Sequence, residues 1–333
     1  MLAALSGGGR VELGQAPVPA PREGEALVAV KAVGICETDV HITLHTASHK
    51  DSPRIMGHEW SGVVEEAPDG STVKRGARVI GEGMVSCGRC RMCLKGRTNL
   101  CDSYREIGFS LPGAYAEYLA IPAGNLHELP PSVSFDQGAL IEPTAVALHA
   151  LKMSGMGPGD TLAVLGPGPI GLLAIQIASA MDAGRIILTG TRENRLALGS
   201  QLGADMTLNV ALADPVDAVR RGTDGGPDIV LDAAGTRSSF DQAVRMVRKG
   251  GTVVLVGGWE TVEWTPGVLI GKEMTLKGSL ASPGAWGASI ELVATGSVKV
   301  LPLVTHRFRL KEVVEAFDLV NRREGVIKAL LLP

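Results

Sequence analysis

Short apolar runs alternate with helical stretches between about residue 150 and residue 281. The six runs read LAVLG, RIILTG, MTLNV, DIVLDAAG, TVVLVGG and MTLKGSL in chain order. Runs rich in β-branched residues are typical of strands. Strands that are apolar throughout and separated by helices predict a parallel sheet covered on both faces. We therefore predict an α/β fold with a doubly wound, six-stranded parallel sheet here.

Residues 1 to about 143 follow another pattern. Segments such as EALVAVKAVGI, WSGVVEEA and AYAEYLAIP, separated by many turn residues, predict an irregular, β-rich domain. From about residue 282 the chain continues to a helical segment, LKEVVEAFDLV, and an apolar run, VIKALLL, that predicts a last strand. We infer that this tail folds back onto the first domain.

One segment, Thr161 to Met181, carries no charged residue over a length that could cross a bilayer. It contains GPGP, which interrupts any continuous helix, so a strand, a turn and a buried helix are the better interpretation. The N-terminal MLAALSGGGRVELG lacks the basic start and long apolar stretch of a secretory signal. We predict a cytoplasmic protein with no membrane partner.

Length and charge narrow the classes of function. The 333 residues suffice for about two domains with substantial cores, so neither disulfides nor a metal is needed merely for folding. The net charge of −3 provides no overall attraction to nucleic acid or to an anionic membrane. In a reducing compartment, clustered cysteines indicate metal binding rather than disulfides.

A glycine-rich turn, GPGPIG, follows the first strand of the predicted parallel sheet and opens the charge-free helix. A G-x-G-x-x-G motif in this position is the fingerprint of dinucleotide binding. The glycines let the backbone approach a pyrophosphate, whose charge the N–H groups and the helix dipole hold. The alternative is a merely tight turn. The candidate cofactor residues here are Gly166, Gly168, Pro169, Ile170 and Gly171.

The next predicted strand, RIILTG, is followed by TRENR. NAD-binding folds usually place an acidic residue there, which accepts hydrogen bonds from the adenosine ribose. This chain has Gly190, Thr191 and Arg192, with Arg195 shortly after. Gly190 leaves room for a 2′-phosphate, and Arg192 can bind it through two hydrogen bonds. The pattern favours NADP over NAD, unless both arginines are ordinary solvated residues at a helix start.

Four cysteines lie in CGRCRMCLKGRTNLC with the spacing C-x2-C-x2-C-x7-C. Four thiolates close a tetrahedral zinc shell and leave no position for substrate, so this zinc is predicted to be structural. The basic residues between them raise the alternative of a nucleic-acid-binding module, which the acidic net charge and the missing recognition elements disfavour. The predicted ligands are Cys87, Cys90, Cys93 and Cys101.

The fifth cysteine, Cys36, lies in GICETDVH, and GHEW follows with His58 and Glu59. A thiolate, an imidazole and a carboxylate from separate segments can bind zinc with one position left open. A core cysteine and a hydrogen-bonded histidine would explain either motif alone. For His45 and His49 a solvated loop is the favoured interpretation, because no other ligand type accompanies them at ligand spacing.

Together these motifs resemble the zinc-containing medium-chain alcohol dehydrogenase family over essentially the full chain. The motifs are GICETDVH, GHEWSG, the four-cysteine segment, GAYAEY, IEPTAVALHAL, GPGPIG and THRF. The resemblance implies assembly as a homodimer or homotetramer. It implies a GroES-like catalytic domain at residues 1–143 with a zinc lobe at about 86–102, a Rossmann domain at 144–281, and a C-terminal return to the catalytic domain at 282–333.

By this resemblance Cys36 and His58 match the first two ligands of a catalytic zinc, and Glu59 matches a nearby carboxylate that sometimes exchanges onto the metal. Simple alcohol dehydrogenases have a cysteine as third ligand, but this chain has Glu142. That glutamate is similar to the polyol (sorbitol), threonine and butanediol dehydrogenase branch, where it binds zinc directly or through water. Glu37 is a departure, because some relatives have a basic residue there that contacts the pyrophosphate.

Further roles are implied only by the resemblance. Thr38 accepts the proton of the substrate hydroxyl and passes it through the nicotinamide ribose to His41, while Asp39 holds the zinc ligand histidine. Zinc lowers the pKa of the hydroxyl, and hydride passes to the nicotinamide. Candidate neighbours of the nicotinamide, which core burial explains equally well, are Val146, Val256 and Leu280.

We therefore expect an NADP-preferring dehydrogenase with two zinc ions per subunit that interconverts a secondary alcohol, a polyol or sugar derivative, and its ketone. L-threonine 3-dehydrogenase and butanediol dehydrogenase activities are the alternatives within this class. Outside it, the chain could be a non-catalytic NADP-binding protein or bind nucleic acid through its zinc lobe.

Overall fold

A computed structural model describes residues 1–45, 53–258 and 260–333. These residues form two compact units, each with its own hydrophobic core. The first unit comprises Met1–Glu142, Trp286–Ala294 and Val300–Pro333, and the second comprises Pro143–Ala285 and Thr295–Lys299.

Strands and helices are numbered in chain order within the described residues. The strands are β1 (Leu2–Gly7), β2 (Arg10–Gln15), β3 (Glu25–Gly34), β4 (Arg54–Ile55), β5 (Glu59–Glu66), β6 (Arg78–Gly81), β7 (Met84–Val85), β8 (Arg105–Glu106), β9 (Tyr118–Pro122), β10 (Leu126–Glu128), β11 (Thr161–Leu165), β12 (Arg185–Gly190), β13 (Met206–Asn209), β14 (Ile229–Asp232), β15 (Thr252–Leu255), β16 (Thr275–Gly278), β17 (Val304–Arg309) and β18 (Lys328–Leu332). The helices are α1 (Glu37–His45), α2 (Arg91–Leu94), α3 (Phe135–Ala139), α4 (Ile141–Ser154), α5 (Pro169–Ala180), α6 (Glu193–Gln201), α7 (Pro215–Gly222), α8 (Arg237–Met246), α9 (Gly267–Lys272), α10 (Trp286–Ala294) and α11 (Val313–Arg322).

The first unit is built around a sheet with the strand order β10-β6-β5-β3-β18-β17, in which β9 also pairs with β3. Apart from Lys31 and the partly exposed Glu25, every residue of β3 (EALVAVKAVG) is buried, which suits a strand covered on both faces. The late strand β18 pairs antiparallel with β3, Leu331 opposite Val33. A residue in β18 can therefore reach the end of β3, where Cys36 follows.

The second unit contains six parallel strands in the order β13-β12-β11-β14-β15-β16. This confirms the predicted parallel sheet, and all six strand candidates are present. From β11 the chain adds β12 and β13 on one side and then crosses over to add β14, β15 and β16 on the other, so the strand order reverses between β11 and β14. Parallel sheets of this kind bind ligands beyond the carboxyl ends of the strands at such a reversal.

The charge-free segment forms β11, a glycine turn and α5, as predicted. Residues Gly171–Ala178 of α5 are all buried, which explains why the helix carries no charge. No helix in the described ranges has the length and apolar character needed to span a membrane.

Residues 295–299 belong to the second unit. The side chain of Gln176 in α5 contacts this segment at Lys299. Its Oε1 accepts a hydrogen bond from the backbone N–H of Lys299 at 2.8 Å, and its Nε2 donates to the Lys299 carbonyl at 3.4 Å. A buried amide thus holds this segment against α5.

Candidate active site and metal centres

Cys36, His58 and Glu59 come together at the adjoining ends of two strands, and we call them the Cys36 cluster. Cys36 lies between β3 and α1, and His58 directly precedes β5, which begins at Glu59. Because β3 and β5 pair antiparallel, Gly34 lies opposite Glu59. One ligand atom from each of the three side chains lies within 4.8 Å of the others. The donor set predicted from the sequence is therefore assembled.

Two glycines provide the space for this cluster. A Cβ at Gly34 would lie 2.2 Å from Oε2 of Glu59, so only glycine lets the carboxylate occupy its position. Gly57 has a φ of +95° and would place a Cβ 2.7 Å from the ring of Tyr115. Its freedom at positive φ turns the chain into β5 just before His58.

The imidazole of His58 faces the carboxylate of Asp39. Its Nδ1 lies 3.4 Å from Asp39 Oδ1, and neither atom has a hydrogen-bond partner among the described residues. Burial alone would lower the pKa of His58, but the carboxylate of Asp39 outweighs it and raises the pKa well above its ordinary value. A metal on Nε2 would leave Nδ1–H to donate to Asp39. The two unpartnered buried atoms thus fit a zinc ligand with its orienting carboxylate.

Glu59 has a buried cationic partner that the sequence reasoning missed. Lys328 Nζ in β18 donates to both carboxylate oxygens of Glu59, at 2.8 and 2.6 Å, and to the Ile35 carbonyl at 3.1 Å. Burial would lower the pKa of Lys328, but the negative charges of Glu59 and Cys36 raise it above its ordinary value. The only available signal was a lone lysine in the apolar run VIKALLL.

Glu142, near the start of α4, is not among the three residues grouped within 4.8 Å. Its carboxyl nevertheless interacts electrostatically with His58, Glu59 and Lys328. Burial raises its pKa to about 7, with the charge of His58 opposing this rise and that of Glu59 adding to it. A carboxyl with this pKa is partly protonated near neutral pH and can release its proton to solvent when a cation binds.

Thr38 and His41 are three positions apart on α1, so they lie on the same side of the helix. Both side chains are partly exposed, whereas Asp39 is fully buried. Glu37 at the first position of α1 forms an exposed ion pair with Arg323. His49 and the side chain of His45 lie outside the described residues.

The four predicted cysteine ligands lie close together in the structure. The sulfur atoms of Cys87, Cys90, Cys93 and Cys101 lie within 4.8 Å of one another. Backbone N–H groups of Arg89 and Cys90 lower the pKa of Cys87 to about 6, which favours the thiolate that zinc binds. Cys101 is buried. Four convergent sulfurs with N–H donors fit a closed tetrahedral zinc site.

The glycine turn of the second unit lies between β11 and the start of α5. Gly166 has a φ of +102°, and a Cβ at Gly171 would lie 2.0 Å from the Gly166 carbonyl oxygen, so the turn requires both glycines. Gly168 caps α5, Pro169 is its first residue and Ile170 its second. Nothing lies within 4 Å of a Cβ built at Gly168. The open side of this helix N-terminus can therefore accept an anion.

Gly190 ends β12 beside this turn and has a packing role that sequence reasoning missed. A Cβ there would lie 2.3 Å from Pro167 Cδ, so Pro167 packs directly against the glycine backbone. Replacing Gly190 by aspartate would displace Pro167 as well as change the charge. A substitution at Gly190 therefore cannot isolate cofactor preference.

Two arginines follow Gly190 at the start of α6. Thr191 is exposed, Arg192 is the residue that caps α6, and Arg195 lies in its first turn. Partial burial and, to a lesser extent, the charge of Arg192 lower the pKa of Arg195 to about 10. Two guanidinium groups this close in sequence create a local positive potential that suits an anionic group.

The three predicted nicotinamide neighbours differ in environment. Val146 is partly buried in α4, and Val256 follows β15 with its N–H donating to the Asp232 carbonyl at 3.0 Å. Leu280 is 49% exposed just after β16. Core burial therefore describes the two partly buried valines better than it describes the exposed Leu280.

Two family models match the chain. Residues 22–131 match the alcohol dehydrogenase GroES-like domain, and residues 169–295 match the zinc-binding dehydrogenase model. The sorbitol dehydrogenase of Arabidopsis thaliana is 35% identical over 94% of this chain and 90% of that protein. The L-threonine 3-dehydrogenase of Bacillus licheniformis is 33% identical over 95% of this chain and 94% of that protein.

Solved structures agree with these matches. A Sinorhizobium meliloti protein described as a zinc-binding dehydrogenase bound to NADP is 34% identical and superimposes with a TM-score of 0.93, over 100% of this chain and 99% of that one. The chain belongs to the zinc-containing medium-chain alcohol dehydrogenase family. It is an oxidoreductase of the zinc-dependent alcohol and polyol dehydrogenase type, with the GroES-like and Rossmann domains of that family.

Proposed function

We propose that this protein is an NADP-preferring dehydrogenase that interconverts the secondary alcohol of a polyol or sugar derivative and the corresponding ketone. The observation that carries the proposal is the Cys36 cluster with Asp39 behind His58. It supplies a thiolate, an imidazole that faces a carboxylate and a further acidic group close together, which suits a catalytic zinc.

Cys36 and His58 would hold this zinc, with a glutamate as third ligand. We favour Glu142 over Glu59, because both oxygens of Glu59 already accept hydrogen bonds from Lys328. The pKa of Glu142, raised by burial to about 7, shows that its carboxylate is destabilised by burial, and a bound cation would stabilise it. Bound zinc would lower the pKa of the substrate hydroxyl so that it can be oxidised.

Thr38 and His41 would carry the proton away from the substrate. Their shared side of α1 and their partial exposure support a path from the hydroxyl of Thr38 towards the imidazole of His41. Asp39, on the buried side, would keep the ring of His58 in one orientation. Bound NADP would accept the hydride.

Arg192 and Arg195 support the preference for NADP. Both would face the 2′-phosphate, and the absence of an acidic residue at Gly190 removes the repulsion that an aspartate would exert. Arg192→Ala should lower kcat/KM for NADP by about tenfold, equivalent to about 1.4 kcal/mol, and leave that for NAD nearly unchanged. An unchanged ratio of the two constants would contradict this role.

The four-cysteine lobe is proposed to hold a second, structural zinc, giving two zinc ions per subunit. By resemblance to the family we also propose a homodimer or homotetramer. Nucleic-acid binding by the lobe is the competing proposal, and a filter-binding measurement over a range of salt concentrations would detect it.

The decisive experiment follows NADP reduction by near-ultraviolet absorbance over a panel of polyols, sugars, simple alcohols and threonine. We expect turnover with a polyol or sugar derivative and its loss when a chelator removes the metal. Preference for threonine would favour the activity of the relative from Bacillus licheniformis. Cofactor binding without turnover of any alcohol would support a non-catalytic NADP-binding protein.

A further inference from the structure

Tyr115 extends the contacts that begin at His58. Its hydroxyl donates a hydrogen bond of 2.5 Å to Oδ2 of Asp39, whose other oxygen faces His58. Both Tyr115 and Asp39 are 0% exposed. The Asp39 carboxylate thus lies between the Tyr115 hydroxyl and the His58 imidazole, and all three side chains are buried.

The hydroxyl determines the orientation of this carboxylate. Among the residues that the structure describes, Oδ2 accepts one further hydrogen bond, from the backbone N–H of Cys36 at a long 3.4 Å. A carboxylate with one weak donor can rotate, whereas the short contact from the hydroxyl fixes Oδ2 and so fixes the direction of Oδ1. Without Tyr115, Asp39 would hold His58 less firmly.

Tyr115 is itself held in place. Its N–H donates to the Met56 carbonyl at 2.9 Å, and its carbonyl accepts from the N–H of Ala4 at 2.8 Å. Its ring packs edge-on against Phe317, with centroids 5.7 Å apart, and lies over Gly57, the residue before His58. The hydroxyl is therefore a fixed point that can hold the buried carboxylate of Asp39 in one orientation.

We propose that Tyr115 is a positioning residue for the metal ligand His58, acting through Asp39. This role rests on the proposed catalytic zinc at Cys36 and His58. Tyr115 is not one of the three residues grouped as metal ligands, so its contribution would lie in the affinity and geometry of the metal site.

The test measures metal binding by the full-length protein. Tyr115→Phe removes only the hydroxyl, and we expect the ion whose binding depends on Cys36 to bind about tenfold more weakly, the lower end of the range for residues beyond the ligands. Competition with a chromophoric chelator gives the affinity of each bound ion. The ion that the Cys36→Ser protein no longer binds is the one at Cys36. With Co²⁺ in place of zinc, the absorption bands should also shift. Tyr118→Phe, a partly exposed tyrosine in β9, is the matched control and should change neither quantity.

A double-mutant cycle tests the route through Asp39. If Tyr115 acts through that carboxylate, Asp39→Ala, which removes both carboxylate oxygens, should weaken metal binding, and adding Tyr115→Phe to it should have no further effect. Additive losses, or a Tyr115→Phe protein with the affinity and cobalt spectrum of the wild type, would overturn the role of Tyr115. If Cys36→Ser bound as many ions as the wild type, the proposed catalytic zinc would fail instead.

Discussion

Lys328 and Glu59 face each other with almost no access to water, at 3% and 2% exposure, so each charge depends on the other. Lys328→Met leaves the Glu59 carboxylate buried without its cation. Removing one partner of such a pair costs about 3–5 kcal/mol. We expect the free energy of unfolding from denaturant titration to fall by about that amount.

Two variants show whether this loss comes from the pair. Lys311→Met removes an exposed lysine and should leave the unfolding midpoint unchanged. Combining Lys328→Met with Glu59→Leu removes both charges and should recover much of the stability. A Lys328→Met protein as stable as the wild type would contradict the importance of this contact.

Glu142 predicts a pH dependence of the metal-free protein. Its pKa rises on folding from an ordinary 4.5 to about 7, so the folded chain holds a proton that the unfolded chain releases. The protonated Glu142 therefore costs no stability below the ordinary pKa of 4.5, and the free energy of unfolding falls as the pH rises from there towards 7. Glu142→Gln removes this cost and should stabilise the metal-free protein by roughly 3 kcal/mol at about pH 8, with little effect near pH 4.5.

Chemical denaturation of chelator-treated protein at the two pH values checks this expectation. Glu128→Gln, an exposed glutamate in β10, is the control and should alter stability equally little at both. A Glu142→Gln effect that does not depend on pH would show that the carboxyl is not the titrating group.

At the scale of elements, two glycines of the turn between β11 and α5 should have separate roles, Gly171 in stability and Gly168 in cofactor binding. Gly171→Ala places a Cβ 2.0 Å from the Gly166 carbonyl oxygen, so backbone must move, and overpacking of this kind costs about 1–3 kcal/mol. A Cβ at Gly168 meets nothing within 4 Å, and that residue has ordinary φ, so Gly168→Ala should keep its melting temperature.

Gly168→Ala, which should keep its stability, is the variant that we expect to lose affinity for NADP. The open side of Gly168 is where the proposed pyrophosphate approaches, so Gly168→Ala should weaken NADP binding by about tenfold or more, at least about 1.4 kcal/mol. Fluorescence titration with NADP and thermal unfolding measure the two effects. Normal NADP affinity in Gly168→Ala would argue against a pyrophosphate at this turn.

Elements with a local pattern could be predicted, and contacts across the chain could not. β11 and α5 follow from an apolar run and the GPGPIG turn, and Cys36 and His58 lie in short recognisable motifs. The pair Lys328–Glu59 joins residues 269 positions apart, and neither has a neighbour in sequence that indicates the other. Likewise, the sequence indicates only space for a phosphate at Gly190, because nothing in it reveals that Pro167 packs against this glycine.

At the scale of the whole molecule, the Cys36 cluster depends on parts of the chain far apart in sequence. Cys36 follows β3, His58 precedes β5, and β18 brings Lys328 to Glu59 from near residue 333. The cysteine lobe, by contrast, is complete within residues 87–101. One predicted metal site thus requires the folded first unit, and the other can form locally.

This difference predicts opposite effects for the two kinds of cysteine. Cys36→Ser should abolish turnover and leave the melting temperature close to that of the wild type, because the sheet around it is held by other contacts. Cys87→Ser should lower the melting temperature and zinc content, since structural zinc contributes about 10–16 kcal/mol in small zinc-dependent peptides. The fraction that stays folded should still reduce NADP. Turnover per folded molecule and zinc content per subunit separate the cases, and a stable Cys87→Ser protein without activity would place the chemistry in the lobe.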